Sequence, residues 1–340
     1  MIKYMNIGLL VLLLQTISMA GPTADELLDK YAQTADKAFT SFVFKTKNKV
    51  FTDNKFTGSH PNRSLNGKTT WFDLQELRSD GRRVKLIMQG WGERMRSNGK
   101  EITPESDKTY YARLYDGEKS YQHNRTNTTA GYVAINQNDP PKDSTFGSEI
   151  GYFLHGASCL GHLKGDKERF DHILKKAGNE QVSVREKMED MNGNSHYVID
   201  AKTNRGDYTV WLNPEKGYNI SKAVIRRKRG DPYYSSKLRP GDKQLFIMDI
   251  THFRDVNGVW VPAKAKIKDN LELSGGGHKN QTTNFELTSI LINPDHDALD
   301  SFSIDDIKDG ARVYFTDNRP GKYFWQDGKV VAEVNSNVKP

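Results

Sequence analysis

Val259-Trp260-Val261-Pro262-Ala263-Lys264-Ala265-Lys266-Ile267-Lys268 is the stretch on which the architecture turns. Val259, Val261, Ala263, Ala265 and Ile267 point one way, while Lys264, Lys266 and Lys268 point the other. A strand with one apolar and one charged face belongs to an antiparallel sheet that is wet on one side. The residues just before it, Asp255-Val256-Asn257-Gly258, carry the Asn-Gly pair of a tight hairpin. Outward from there the same period of two recurs. Phe42, Phe44, Thr46 and Asn48 oppose Lys45, Lys47 and Lys49, and Val84, Leu86 and Met88 oppose Lys85 and Gln89. Further strands are expected over 71–77, 109–115, 196–201, 208–212, 220–227, 244–253 and 284–292. Asn213-Pro214-Glu215-Lys216-Gly217, Asp116-Gly117 and Asp327-Gly328 supply turns. No helical segment separates most of these strands, which excludes a parallel α/β sheet. Residues 123–146, rich in Asn, Thr and Pro, read as a long loop.

Helix signals are few. Thr23-Ala24-Asp25-Glu26 is a capping box, followed by Leu27, Leu28, Tyr31, Ala32, Ala35 and Phe39 at helical spacing, so a helix is expected over 24–38. A second is expected over 166–177, with Asp166 as cap and Phe170, Ile173, Leu174 and Ala177 as its stripe. A third, short one over 148–155 would expose Ile150, Phe153 and Leu154. The fold class is therefore α+β, mainly β: a strongly curved antiparallel sheet, an unclosed barrel, with two or three helices on its concave face.

Lys3, the apolar run Ile7 to Leu14, and Ser18-Met19-Ala20 have the three-part form of a secretory signal, with cleavage expected after Ala20. Eight apolar residues do not cross a bilayer, which takes roughly 20. The expected division is 1–20 signal peptide, 21–292 sheet-and-helix domain and 293–340 C-terminal extension. Cys159 is the single cysteine, so no disulfide framework holds the chain and no cysteine follows the cleavage site to take a lipid. Formal net charge is +7 and mean hydropathy −0.74, which suits a polar surface drawn to anionic partners.

Several side-chain groupings suggest chemistry and stop short of it. His155, Cys159 and His162 have N/S ligand types close together, with His172 beyond, but a structural zinc site takes four ligands. Gly156-Ala157-Ser158-Cys159-Leu160-Gly161 lacks the spacing of a nucleophile elbow. Asp295, Asp297, Asp300, Asp305 and Asp306 lack the pattern of a calcium loop and read as a solvated loop. Arg226-Arg227-Lys228-Arg229 reads as an exposed strand end and not as a nucleic-acid contact. Ser274 to His278 precedes no helix, so its glycines cradle no phosphate.

Tyr208-Thr209-Val210-Trp211-Leu212-Asn213-Pro214-Glu215-Lys216-Gly217 and Val256-Asn257-Gly258-Val259-Trp260-Val261-Pro262 resemble strand-and-turn text of the bacterial periplasmic lipoprotein carrier and sorting superfamily. The tail from Asp305 to Val331, with Tyr323-Phe324-Trp325-Gln326-Asp327-Gly328-Lys329, is similar to an extension of planctomycete-type members. The resemblance implies an unclosed barrel, helices as a lid, an apolar cavity for lipoprotein acyl chains, and no catalysis. It implies an arginine that holds the lid; Arg78, Arg83 and Arg94 are candidates, and none is assigned. From the apolar strand faces, Phe42, Phe44, Leu86, Met88, Phe246, Met248, Phe285 and Leu287 are expected to line the cavity, with Phe153 and Leu154 as the lid. The expected function is a non-catalytic, soluble extracytoplasmic carrier or sensor of a lipid or lipoprotein acyl chain, with no metal, cofactor or nucleic acid and no membrane span. The alternatives are an envelope protein-interaction or sensor module on the same fold, and a metal-dependent hydrolase built on His155, Cys159 and His162.

Overall fold

The computed structural model describes residues 21–57, 65–96, 98–126, 128–136, 155–166, 168–178, 180–233, 236–317 and 319–333. The expected leader, the short helix over 148–155 and the lid residues Phe153 and Leu154 lie outside these, apart from the backbone of His155.

Helix α1 (Ala24–Phe39) starts where the capping box places it: Glu26 N donates to Thr23 Oγ1 and Thr23 N donates to Glu26 Oε2. Helix α2 (Phe170–Ala177) is shorter than the spacing predicts, and Arg169, not Asp166, precedes its first turn. Asp166 has a different task, described below.

All the described strands but two form one sheet. In chain order they are β1 (Phe42–Lys55), β2 (Gly67–Ser79), β3 (Val84–Arg96), β4 (Gly99–Thr103), β5 (Thr109–Tyr115), β6 (Ser120–Arg125) and β7 (Tyr132–Asn136). After the helical segments come β8 (Val182–Val184), β9 (Glu189–Met191), β10 (Asn194–Thr203), β11 (Gly206–Asn213) and β12 (Asn219–Arg227). A detached hairpin, β13 (Pro232–Tyr233) and β14 (Ser236–Lys237), precedes the long strands β15 (Lys243–Val256), β16 (Val259–Leu273) and β17 (Gly277–Ile292). The tail adds β18 (Arg312–Phe315), β19 (Tyr323–Gln326) and β20 (Lys329–Ala332).

Neighbours across the sheet run β10, β11, β12, β15, β16, β17, β1, β2, β3, β5, β6, β7, β18, β19, β20, with β8 and β9 on the outer side of β10 and β4 on β3. Among the described residues every pairing is antiparallel except β7 with β18. The two ends do not meet, so the curved sheet is an unclosed barrel. Asn257 and Gly258 both have positive φ and form the two-residue turn between β15 and β16, as the Asn-Gly pair requires. Residues 123–136 are not loop throughout: β7 pairs with β6 and presents Val133 and Ile135 to a small core.

Register breaks sharpen the curvature. One lies between Lys45 and Thr46 on β1, others at Trp211/Leu212 and around His252. At the first, Ser289 faces Lys45 while Leu287 faces Thr46. The extra residue lets both Leu287 and Ile290 reach the core despite their odd spacing.

The inner face buries Phe42, Phe44, Ile199, Val210, Ile225, Phe246, Met248, Phe285 and Leu287 against Leu27, Leu28, Tyr31 and Ala35 of α1 and Phe170, Ile173 and Leu174 of α2. The turn His155–Leu160 packs on β15, β16 and β17. The tail lies on the opposite face of the sheet's other half. There Ile307, Ala311, Val313 and Trp325 cover Val133 and Ile135. Asp306, expected to be solvated, is instead a half-buried anchor: Lys85 Nζ donates to its Oδ1 at 2.9 Å and Tyr110 to its Oδ2 at 2.6 Å, with His123 Nδ1 at 3.5 Å. Against the cost of burial, those contacts hold the Asp306 carboxyl well below the usual carboxylate range.

Arg227 is the larger correction. It is fully buried at the end of β12, not exposed. Its guanidinium donates to Asp166 Oδ1 (2.8 Å), Gln244 Oε1 (2.7 Å) and the carbonyls of Lys164 (2.8 Å) and Arg205 (2.9 Å). Tyr208 donates to Asp166. A dry ion pair is tolerated only when its donors and acceptors are met this fully. It pins the segment before α2 to the sheet. Arg227→Gln is expected to destabilise the fold by about 3–5 kcal/mol, because it strands Asp166 in the core. Urea denaturation measures this, and a loss under about 1 kcal/mol would deny the pair that role.

Candidate functional site

Strand β1 changes character along its inner face. Phe42 and Phe44 give way to Thr46 and Asn48, both buried. Opposite them on β2 stand Gln75 and Asp73, also buried. Asn48 Nδ2 donates to Asp73 Oδ1 at 2.8 Å and to Thr46 Oγ1 at 3.2 Å. Polar groups on an otherwise apolar stripe are costly to bury, so their placement calls for a reason.

One of them, Asp73, lines a cleft of about 470 Å³ formed with residues of β2, β3, β5 and β6. Trp71, Asp73, Met88, Arg94, Tyr110, Tyr111 and Arg125 are among the residues that wall it. Trp71 lies across the floor at Gly90, where a Cβ would stand 2.4 Å from the indole ring, so no larger residue fits there without moving the tryptophan. Arg94 stacks on the other part of this wall, its guanidinium carbon 3.4 Å from the Trp71 ring centroid. Arg125 lies in the same way 4.1 Å from the Tyr110 ring.

The electrostatics follow from burial. Burial pushes the Asp73 carboxyl up to about 7, opposed by the Asn48 hydrogen bond and the Arg94 charge. Burial, and next the charge of Arg96, pulls Arg94 down to about 10, so it stays protonated at neutral pH. The site therefore holds two fixed cations and a carboxyl poised between its two forms.

The residues expected to line a cavity divide unequally. Phe42, Phe44, Leu86, Phe246, Met248, Phe285 and Leu287 are buried in the packed inner core, Phe44 stacked on Phe285 at 6.1 Å. Met88 alone of the set is half-buried and faces the cleft. Trp71, Asp73, Tyr110, Tyr111 and Arg125 carry no motif that marks them in the sequence, and Arg94 stands there only as a candidate lid-holding arginine. The signal for them was Asp73 and Gln75 falling in phase with Trp71 and Leu77. Arg78 and Arg83 instead bind Glu76, Asp80 and the Ser301 carbonyl, and the arginine that secures the segment before α2 is Arg227.

Cys159 is buried and burial pushes its thiol up, away from the reactive thiolate. Burial, and then the Arg169 charge, pulls His162 down to about 4, so it is neutral at physiological pH. Among the described residues no three His, Cys, Asp or Glu side chains come together as a metal site. No described helix is long and apolar enough to cross a membrane.

No family model matches the sequence, and no curated protein matches it. Solved structures similar in fold include a DUF1329 family protein from Desulfovibrio piger, 9% identical with a TM-score of 0.38, covering 83% of this chain and 98% of that one. A LolA superfamily protein from Nitrosomonas europaea is 14% identical, with a TM-score of 0.38 and coverage of 84% and 99%. MucB, in complex with MucA, is 10% identical, with a TM-score of 0.21 and coverage of 80% and 99%. Superpositions this loose transfer neither ligand nor activity.

Asp73 has a thermodynamic signature. As pH rises from about 4 to about 7, the unfolded chain releases this proton and the folded chain keeps it, so stability falls across that window and levels off above it. Asp73→Asn removes the slope. The variant is expected to match the natural chain near pH ~3.5 and exceed it near pH ~8 by on the order of 2–4 kcal/mol. Denaturation midpoints measured across that range decide it; parallel curves would contradict a buried, raised Asp73.

Proposed function

We propose that this chain is a non-catalytic binding protein of the cell envelope that carries or senses a lipid or lipoprotein acyl chain. The observation that supports this is the cleft, whose inner-face wall is Trp71, Met88 and Tyr111. Its volume falls within the range of small-molecule sites. Each methylene buried against those walls contributes ~0.8 kcal/mol, so several suffice for useful affinity without a specific polar contact. The other half of the inner face is closed by α1 and α2, which leaves the ligand this end of the sheet. The envelope location rests on the leader-like pattern of residues 1–20.

A second reading, a protein-interaction or sensor module, is favoured by a groove of about 360 Å³ beside the end of β17. Val256, Ile290, Leu291, Pro294 and Leu299 line it, and Leu291 and Leu299 are each 46% exposed. The two readings are compatible on one chain, since the groove and the cleft share no residue.

Titration with a fluorescent long-chain fatty acid tests the cleft. Met88→Trp, which fills it, is expected to weaken binding at least ~10-fold, equivalent to ~1.4 kcal/mol. Phe246→Leu, in the closed core, is expected to bind as the natural chain does despite lower stability. No binding by the natural chain, or equal binding by Met88→Trp, would reject this reading.

A further inference from the structure

We propose that the outer face of the sheet, from β16 through β17 and β1 to β3, docks on an anionic lipid bilayer, with lysines on one side of the patch and aromatic rings on the other. The residues that carry the inference do not line the cleft, so it is independent of what the cleft holds.

Residues directly opposite each other in an antiparallel pair share a face. From β16 to β3, one row reads Lys266, Asn284, Lys49, Phe72 and Trp91. The next reads Lys268, Thr282, Phe51 and Thr70. Lys47 stands one row back on β1. Across five strands such a row spans about 20 Å at ~4.8 Å per strand. Lys47, Lys49, Phe51, Lys266, Lys268 and Asn284 are exposed, whereas the helices pack on the inner face and the tail is anchored further along, at Lys85 and Tyr110.

The charge of this face is lopsided. Among the described residues Lys47, Lys49, Lys266 and Lys268 form no ion pair, and the acids beside them have other partners. Glu286, opposite Lys47, binds Lys264 at 3.1 Å, Asp249, opposite Lys266, lies 3.9 Å from Lys222, and Glu76 binds Arg78 at 2.7 Å.

The aromatic side adjoins it. Phe72 and Trp91 stack with centroids 5.7 Å apart, and Phe51 is 39% exposed. Lys49 Nζ lies 4.8 Å from the Phe51 ring centroid and 5.4 Å from that of Phe72, and Lys108 Nζ lies 4.6 Å from that of Trp91. Ile102, paired with Glu93 just past Trp91, is 68% exposed. Adjoining apolar side chains on a wet sheet face mark an interaction surface. A bilayer interface meets both halves at once: phosphates meet the ammonium groups, and the rings enter the apolar level beneath while the lysines reach back to the head groups. A soluble polyanion meets only the first half.

The test is flotation of the mature chain, residues 21–340, with vesicles of phosphatidylcholine alone or mixed equally with phosphatidylglycerol. The expected result is binding to the anionic vesicles only. Each lysine near such a surface is worth about fivefold in partition, so the triple variant Lys49→Gln, Lys266→Gln, Lys268→Gln is expected to lose about 100-fold. Phe51→Ser is expected to lose about 5-fold through its ring alone. The triple variant Lys37→Gln, Lys187→Gln, Lys329→Gln, equal in charge but away from this face, is expected to lose less than about 5-fold. Every substituted position is exposed, so folding is not at stake. No binding to anionic vesicles, equal binding to neutral ones, or equal loss in the two triple variants would overturn the proposal. So would vesicle binding that is indifferent to Phe51→Ser and matched by polygalacturonate, which would assign the face to an acidic glycan instead.

Discussion

Strand β1 is paired along its length on both sides, with β17 on one edge and β2 on the other. It joins the C-terminal hairpins to the N-terminal ones, so its alternation decides what the whole inner face presents. Its first inward residues, Phe42 and Phe44, meet the helix side of the core, and Phe39 closes on Phe42 edge to face at 5.9 Å. Its next, Thr46 and Asn48, are polar and bring Asp73 and Gln75 into register. Core and cleft are two ends of one strand face. The point where phenylalanine yields to threonine is also where the register against β17 slips.

Two charges, Arg227 buried and Asp306 half-buried, keep that arrangement from drifting. Arg227 ties residues 164–166 to β11 and β12, and so fixes the approach to α2. Asp306, held by Lys85 and Tyr110, fixes the tail to the outside of β3 and β5. The second anchor bears on the site directly. Tyr110 donates its hydroxyl to Asp306 and lends its ring to Arg125, so the tail holds the outer-face residues that reach the cleft's rim. A C-terminal extension that seems remote in sequence is thereby a support for binding residues on β5 and β6.

Much of this was legible in the chain. Alternation marked the strands, the Asn257-Gly258 pair marked the β15–β16 hairpin, and Thr23 with Glu26 marked the start of α1. Each of these signals is local. What was illegible depends on which distant element covers a face. Arg227 sits in a basic run and looks solvated until Asp166 arrives from far along the chain. Val133 and Ile135 lie in Asn- and Thr-rich surroundings, and become a strand because the tail covers them. Phe42, Phe44, Phe246 and Phe285 were correctly apolar and inward, but period alone does not separate a face that helices fill from one they leave open. The cleft residues were hidden for the converse reason: polarity and aromaticity disguised an inward face as an outward one.

The central claim is that this fold keeps part of its inner face for an acyl ligand. Mass spectrometry of the mature protein, exported in a bacterial host and sprayed first under native and then under denaturing conditions, tests it most directly. The account predicts a bound species that is released on unfolding, has the mass of an acyl compound, and disappears in Met88→Trp. A ligand-free natural chain, or a bound species retained equally by Met88→Trp, would contradict it.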